Sequence, residues 1–360
     1  MRQAARDGPR RNIAGSLEVN RINKHLEFDM VGRMRFGKIL LAATSILVSL
    51  FIVEVFARVY LASPLALIPR YGNSFQAIHG SKILRASNIA GLRFELKPNL
   101  DTYFKLTPFA TNSVGMRADR EYKKQKRPGS YRVVVLGDSF TMPSGVPIED
   151  AYHNVVEREL NAKSDRNYEF LNFGVGGYSL DNYLTVLKEK ALAYEPDHVL
   201  IGLCLTNDIP VIEQQKKPNA GGFKNRVLSS PQPYFEIWTR DAIGRIGKGM
   251  NPKKKGTQQF DLEKLHRLAS EFDRIRTQHD LQMTFVGLKL HSRVSRPYEL
   301  AAQALGKHSL MLIDGGSDFQ TQIEARYLTT RLDRHPNALA NKMFADTIVR
   351  EIDWDEQDIR

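Results

Sequence analysis

The sequence predicts an α/β protein with a parallel sheet covered by helices on both faces, preceded by one membrane-spanning helix. Two observations predict this class: from Tyr131 onward short apolar runs alternate with segments of helical spacing, and residues 39–53 form an apolar run without a charge. The length of 360 residues suffices for one sizeable core, and 42% hydrophobic with 26% charged residues is an ordinary globular composition. A chain that is disordered throughout is therefore excluded.

The first predicted element is a transmembrane helix over residues 39–61. At about 1.5 Å per residue, a helix of this length approaches the roughly 30 Å thickness of the hydrocarbon layer. Glu54 and Arg58 interrupt the apolar run near one end, on one helix face, where they can pair or reach the headgroups. A buried core helix and a cleaved signal peptide are the alternatives. The charge-free length disfavours the first, and the long preceding stretch disfavours the second.

The charges on either side of this helix predict its orientation. Residues 19–38 hold five lysines and arginines, whereas residues 63–82 hold two. Because the more basic flank tends to stay in the cytoplasm, we expect a single-pass protein of the cell membrane with a cytoplasmic N-terminus and an extracytoplasmic main domain. Residues 1–38 are predicted to be a flexible, basic cytoplasmic tail, either near anionic headgroups or simply solvated. Residues 63–130 are predicted to be a membrane-proximal segment that packs on the main domain.

The hydrophobic pattern of residues 131–355 predicts the main domain. Five apolar runs predict its strands, at residues 133–136, 169–173, 198–205, 283–288 and 310–313. Apolar residues at helical spacing predict helix faces at residues 152–160, 184–191, 262–272 and 340–352. Strands separated by helices of this length require right-handed crossovers, which give a parallel sheet. Residues 211–260 interrupt the alternation with proline, glycine and a lysine run, and are predicted to be an insertion.

Polar and glycine-rich clusters follow the first three predicted strands, and a fourth cluster precedes the last helix. The clusters are Gly137–Phe140, Asn172–Tyr178, Thr206–Asp208 and Asp333–Asn337. In parallel sheets, the chemistry lies beyond the carboxyl ends of the strands. The four clusters are therefore expected to meet at one edge of the sheet.

The residue types in these clusters match the needs of acyl transfer, which requires a nucleophilic hydroxyl, a base, a group that orients the base and donors for an oxyanion. Ser139 is the candidate nucleophile, on a turn after a strand. His335 is the candidate base, because imidazole exchanges a proton near neutral pH, and Asp333 shares its face on extended backbone and can orient the ring. The backbone N–H groups of Ser139 and Gly177 and the side-chain amide of Asn207 are the candidate oxyanion donors.

Taken together and in this order, the blocks GDSF, NFGVGG, LTND and D-x-H-P-N resemble the SGNH (GDSL-type) hydrolase family. The resemblance covers residues 131–355. It implies a flavodoxin-like three-layer α/β/α fold with ester hydrolase or O-acyl transfer activity, a nucleophile at Ser139, and a base at His335 paired with Asp333. It also implies oxyanion donors at Gly177 and Asn207.

Two features depart from the usual pattern of this family. The family often has D-x-x-H, whereas Asp333 lies only two positions before its histidine. Gly176 and Gly177 are adjacent, so either could be the oxyanion donor; counting five residues from Asn172 favours Gly177.

The stretch ATNSVGMR, at residues 110–117, resembles membrane-linked members of the family near envelope polysaccharide or lipid modification.

Three functions are compatible with these residues. The first is a membrane-anchored serine esterase or acylhydrolase that works through an acyl-Ser139 intermediate. The second is an O-acyltransferase that uses the same residues on an envelope glycan. The third is a non-catalytic glycan-binding or assembly protein of the same fold, which the short Asp333–His335 spacing favours. The expected partners are the lipid bilayer, through residues 39–61, an acyl ester on a glycan or lipid, and a membrane acyltransferase.

Other classes of function find little support in the sequence. The single cysteine, Cys204, cannot form an intramolecular disulfide and lies in an apolar strand, so we expect it to be buried. The other histidines show no paired ligand spacing, and neither a metal nor a cofactor is expected. The glycines of the second cluster fail as a dinucleotide fingerprint, because Ser179 takes the third glycine position. The chain has a net charge of +12 and a lysine run at 253–255, but no aromatic residues are interleaved with these lysines. We therefore do not expect it to bind nucleic acid.

Overall fold

The computed structural model describes residues 11–71, 83–205, 207–212, 234–235, 239 and 259–354 of the chain. The chain divides into two units, Met1–Phe56 and Ala57–Arg360. Within the described residues, the first unit consists of helix and the second carries a five-stranded sheet.

Helix α1 spans Arg11–Leu61, so it begins well before the predicted membrane segment. Residues 11–38, for which the sequence predicts a flexible tail, are helical in the structure, because this stretch holds no proline and contains many good helix formers. The portion Arg33–Leu61, 29 residues, is long and apolar enough to cross a membrane, and none of its most apolar window is buried within the protein. A short 3₁₀ turn at Pro64–Leu67 follows the helix.

Residues 83–110, part of the segment that the sequence predicts to be membrane-proximal, form two small antiparallel pairs. Strands β1 (Leu84–Ala86) and β2 (Phe94–Leu96) form the first pair, and β3 (Asp101–Phe104) and β4 (Thr107–Ala110) form the second. Phe109 of the second pair belongs to the same buried cluster as residues of the main sheet. The segment therefore packs on the main domain.

The main sheet has five strands. They are β5 (Ser130–Gly137), β6 (Asn167–Asn172), β7 (His198–Leu203), β8 (Gln282–Gly287) and β9 (Met311–Ile313), in the order β6-β5-β7-β8-β9. All four pairings between neighbours are parallel. Counted within this sheet, the order is 2-1-3-4-5, which is that of flavodoxin-like folds. The predicted α/β class with a five-stranded parallel sheet is confirmed.

Helices cover both faces of this sheet. They are α2 (Tyr152–Lys163), α3 (Leu180–Val186), α4 (Leu262–Gln278), α5 (Arg296–Gly306) and α6 (Ala338–Glu351). Helices α2 and α6 contribute to one buried cluster, and the other three contribute to a second cluster.

Strand β5 shows how the sequence divides the core into these two clusters. Val133 and Val135 belong to the cluster with α2 and α6, whereas Val134 and Leu136 belong to the cluster with α3, α4 and α5. Successive side chains of a strand point to opposite faces, so an unbroken apolar run is buried on both sides. The result is a three-layer α/β/α arrangement.

The strand order also locates the crevice of the sheet. The chain leaves β5 for β6 on one side and then returns to β7 on the other side of β5. In open α/β sheets, ligands bind beyond the carboxyl ends of the strands at such a reversal. The ends of β5 and β7 are therefore where a site is expected.

Most of the predicted insertion at residues 211–260 lies outside the described residues. Its two ends are described: Val211 and Phe260 form an antiparallel bridge. The two ends of the segment therefore lie side by side in the main domain.

Candidate active site

Ser139 lies on a tight turn directly after β5. A glycine is needed at position 137, because a Cβ there would lie 2.0 Å from the hydroxyl oxygen of Thr141. The Met142 N–H closes the turn by donating to the Asp138 carbonyl at 2.8 Å. Ser139 itself is half-buried. The turn thus holds the hydroxyl at the sheet edge.

His335 and Asp333 complete a hydrogen-bonded chain with this hydroxyl. Ser139 Oγ lies 2.8 Å from His335 Nε2, and His335 Nδ1 is hydrogen-bonded to Asp333 Oδ1. The backbone N–H of His335 also donates to Asp333 Oδ1, at 3.3 Å. One carboxylate oxygen is therefore hydrogen-bonded to both the backbone N–H and the ring of His335. The short D-x-H spacing thus still allows the acid to contact the imidazole.

In the loop before α6, the Asp333 carboxylate contacts the histidine, and a different side chain caps the helix. Asn337 caps the helix, because its side-chain oxygen accepts from the Ala340 N–H at 3.1 Å. The Asp333 backbone N–H donates to the Thr330 hydroxyl at 2.9 Å, which fixes the start of the loop. The side chain that caps the helix is therefore that of Asn337 and not that of Asp333.

The loop after β6 brings two glycines toward Ser139, the candidate nucleophile. A Cβ on Gly176 would lie 3.5 Å from Ser139 Cβ, and the Gly176 N–H donates to the Met142 sulfur at 3.3 Å. Gly177 has a φ of +89°, a conformation that favours glycine. Within the part of the chain that the structure describes, neither the Gly177 N–H nor the Ser139 N–H has an acceptor. These two donors are the ones available to an oxyanion, which favours Gly177 over Gly176.

Asn207 lies on the turn after β7 and is exposed at the surface. Its amide donates to the Cys204 sulfur at 3.6 Å, and it lies near enough to the Asp138 carboxylate to oppose the effect of burial on the pKa of that group. The side chain therefore lies beside the nucleophile turn, and its donation to an oxyanion stays a prediction. Cys204 itself is buried, as expected.

The two carboxylates of the site have opposite pKa shifts. Burial raises the pKa of Asp138, and the hydrogen bond from the Phe140 N–H and the charge of His335 offset only part of this effect. Burial also acts on Asp333, but the hydrogen bond from His335 and the Lys105 cation outweigh it and leave the pKa of that carboxyl below its ordinary value. Asp333 is thus kept ionised, as the partner of a protonated imidazole must be.

Lys105, at the turn between β3 and β4, is a site residue that no sequence motif marks. Its Nζ lies 3.0 Å from Asp333 Oδ2 and 3.2 Å from His335 Nδ1, and its side chain is only 9% exposed. Burial lowers the pKa of Lys105 more than the Asp333 carboxylate raises it. A lysine at a hairpin turn is ordinarily solvated, and its histidine partner is 230 residues away in sequence. The sequence therefore carried no local signal for this contact.

Arg117 is a second site residue that sequence reasoning did not single out, although it ends the stretch ATNSVGMR. Its guanidinium donates to the carbonyls of Met142, Pro143 and Val146, in the loop that follows the nucleophile. It also lies over the Phe109 ring, 4.6 Å from the centroid. Burial lowers the pKa of Arg117 to about 9. The sequence signal that could have pointed to Arg117 is the resemblance of this stretch to membrane-linked proteins. In the structure, Arg117 braces the loop that follows Ser139.

No model of a protein family matches the chain, and no curated protein matches it. Solved structures that resemble it include LAE5, an α/β hydrolase enzyme from the metagenome of Lake Arreo, Spain, which is 14% identical over 61% of this chain and 94% of that chain, with a TM-score of 0.39. The acetyl xylan esterase AlAXEase is 16% identical over 62% of this chain and 100% of that chain, with a TM-score of 0.39. A member of the lipolytic protein G-D-S-L family from Veillonella parvula is 13% identical over 61% of this chain and 97% of that chain, with a TM-score of 0.35.

Proposed function

We propose that this protein is a membrane-anchored serine esterase that cleaves an acyl ester through an acyl-Ser139 intermediate. The observation that carries the proposal is the continuous contact from the Ser139 hydroxyl through His335 to Asp333, with 2.8 Å between Ser139 Oγ and His335 Nε2. A hydroxyl, an imidazole and a carboxylate in this order are the groups that nucleophilic acyl transfer requires.

In the first half-reaction, Ser139 Oγ attacks the carbonyl carbon of the ester while His335 Nε2 takes the hydroxyl proton. The carbonyl oxygen becomes an oxyanion, to which the N–H groups of Ser139 and Gly177 and the amide of Asn207 donate hydrogen bonds. When this intermediate collapses, the bond to the alcohol oxygen breaks and His335 gives its proton to that oxygen. The products are the free alcohol and acyl-Ser139.

In the second half-reaction, His335 takes a proton from a water molecule, whose oxygen attacks the acyl carbon. Collapse of the second intermediate returns the proton to Ser139 Oγ and releases the carboxylic acid. Asp333 stays ionised in both halves, orients the imidazole and stabilises its protonated form. The lowered pKa of Asp333 supports this role.

The anchor in this proposal is the portion Arg33–Leu61 of α1, whose length and composition suit a membrane span. The excess of basic residues before it supports a cytoplasmic N-terminus and an extracytoplasmic main domain. A reporter that is active only in the cytoplasm, fused to the C-terminus, is expected to stay inactive. An active reporter would contradict this orientation.

The test of the chemistry is hydrolysis of an activated acetyl ester by the full chain in detergent. We expect Ser139→Ala to lower kcat/KM by about 10⁴-fold or more, because the nucleophile is lost. Ser317→Ala removes the hydroxyl of an exposed serine and serves as the matched control, with unchanged activity expected. Wild-type activity in Ser139→Ala would overturn the proposal.

A glycan hydroxyl in place of water would turn the same machinery into an O-acyltransferase. The motif resemblance of residues 110–117 and the membrane anchor favour testing this second function. When the wild-type protein is given an acyl donor together with oligosaccharides, a hydrolase yields only the free acid, whereas a transferase yields acylated sugar. Acylated sugar that forms with Ser139→Ala as readily as with the wild-type chain would exclude Ser139 from the transfer.

A further inference from the structure

The turn of the β3–β4 hairpin places a lysine against both the acid and the base of the proposed mechanism. Lys105 Nζ is 3.0 Å from Asp333 Oδ2 and 3.2 Å from His335 Nδ1. The other carboxylate oxygen, Asp333 Oδ1, is hydrogen-bonded to His335 Nδ1. A cation therefore holds one oxygen of the acid while the imidazole holds the other.

The hairpin turn adopts an unfavourable backbone conformation at this position. Lys105 and Leu106 both have positive φ, at 48° and 69°, a region that such side chains rarely adopt. Packing holds both residues there. Leu106 is buried in one cluster with Ala57 and Leu61, and a Cβ on Gly145 would lie 3.4 Å from Lys105 Cβ. Backbone strain maintained by its surroundings is a feature of functional positions.

Among the residues that the structure describes, the charged and titratable groups around this contact come from three elements. Lys105 comes from the hairpin, Asp333 and His335 come from the loop before α6, and Asp138 comes from the nucleophile turn. The Phe140 ring meets the His335 ring at a centroid distance of 5.7 Å and brings no charge. The lysine thus opposes two carboxylates that both favour a proton on the imidazole.

We propose that Lys105 is a positioning residue that fixes the Asp333 carboxylate against His335 and, through its charge, keeps the imidazole free to act as a base at lower pH. This inference rests on the proposed esterase function. Without the lysine charge, the carboxylates of Asp333 and Asp138 act on the ring unopposed, and the protonated imidazole is favoured. The enzyme then loses its base at pH values where the wild-type enzyme still works.

The test is the pH dependence of kcat/KM for ester hydrolysis by the full chain, which reports the groups that must be unprotonated in the free enzyme. For Lys105→Met we expect the acidic limb of the profile to move up by about one pH unit and the plateau to fall by about 10-fold. Lys105→Arg keeps the charge and is expected to keep the limb near its wild-type position. A merely structural role would lower the plateau without moving the limb.

The matched control removes a different buried lysine that pairs with an aspartate. Lys289 Nζ lies 2.9 Å from Asp314 Oδ2, and its side chain is 4% exposed. Lys289→Met is expected to leave the acidic limb in place. An equal displacement in this control would overturn the inference, because the shift would then follow from lost packing.

The remaining outcomes separate the role of Lys105 from the esterase function itself. An inactive Ser139→Ala together with an unshifted Lys105→Met profile would overturn only the role of the lysine. If Lys105→Met fails to fold, the acidic limb is measured in Lys105→Gln, which also lacks the charge and is of similar length. A Ser139→Ala variant as active as the wild-type enzyme would overturn the esterase proposal and, with it, this inference.

Discussion

The two halves of the candidate site are built by different kinds of contact. On the nucleophile half, the backbone around Ser139 is held by residues close in sequence: the Met142 N–H donates to the Asp138 carbonyl, and the Ser144 N–H donates to the Ser139 carbonyl at 3.0 Å. On the acid–base half, the local hydrogen bond from the Asp333 N–H to the Thr330 hydroxyl is joined by contacts with residues from the first third of the chain.

The last turn of α1, which belongs to the second unit, supplies two of these distant contacts. The Leu332 N–H donates to the Leu61 carbonyl at 3.3 Å, and the Arg331 guanidinium lies 4.5 Å from the Tyr60 ring centroid. The lysine of the hairpin turn supplies the third. The comparison teaches that local hydrogen bonds close the turn of the candidate nucleophile, with Arg117 as a brace from outside it, whereas the loop of the candidate base depends more on contacts with residues distant in sequence. The two halves should therefore respond differently to substitution.

The largest expected effect concerns the acid–base half. His335→Ala removes the proton acceptor, and we expect kcat/KM to fall by about 10⁴-fold or more; Asp333→Asn should cost about 10³- to 10⁴-fold. The kcat/KM for ester hydrolysis is measured for both variants. His279→Ala, at an exposed histidine, is the control. Wild-type activity in His335→Ala would show that this half of the site takes no part in the reaction.

The next effect concerns the oxyanion donors beside the nucleophile half. Asn207→Ala removes one of the proposed donors, and we expect kcat to fall by about 10²- to 10³-fold with little change in KM. Steady-state kinetics with an acetyl ester measures this. An unchanged kcat would restrict Asn207 to its contacts with Asp138 and Cys204.

A third substitution tests the brace of the nucleophile half. Arg117→Met leaves three buried carbonyls without their donor, and we expect the free energy of unfolding to fall by about 2–4 kcal/mol. Chemical denaturation in detergent measures this loss. Arg267→Met, at an exposed arginine that pairs with Glu263, is the control and should change stability by no more than about 0.5 kcal/mol. Equal stability losses in both variants would contradict the bracing role.

A further expected effect concerns two buried histidines of the core and not the site. Burial lowers the pKa values of His153 and His198 to about 3, from an ordinary value of 6.5. Between these values the unfolded chain binds protons that the folded chain excludes. Stability is therefore fully present above pH 6.5 and is lost as the pH falls, by about 1.4 kcal/mol per pH unit for each histidine.

Glutamine substitution of these two histidines checks this sign. The variant His153→Gln, His198→Gln should show a shallower loss of stability on acidification than the wild-type protein, as measured by denaturation at a series of pH values. An unchanged slope would mean that both histidines accept protons in the folded protein.

Much of the sheet and of the site could be predicted because their signals are local. A strand buried on both faces consists of an unbroken apolar run, and such runs at residues 133–136 and 198–205 predicted β5 and β7. The site clusters follow the ends of such strands, so their meeting at one edge follows from a parallel sheet. Ser139, His335 and Asp333 were predicted in this way, and the structure brings them into contact.

The features that escaped prediction depend on weak or distant signals. Helix α5 buries Leu300, Ala301, Ala304 and Leu305, and the two alanines give its apolar face little contrast. The pairs β1–β2 and β3–β4 have strands of three or four residues, too short for a readable alternation. The contact of Lys105 with the acid–base pair joins segments that only the tertiary fold brings together.

The central claim is that His335 activates the Ser139 hydroxyl across the edge of the sheet. The rate at which a serine-directed fluorophosphonate labels the full chain, with the labelled peptide identified by mass, measures this directly. We predict a single adduct on Ser139 that forms at least about 10³-fold more slowly in His335→Ala. An adduct on another residue, or an equal labelling rate in the two proteins, would contradict the account.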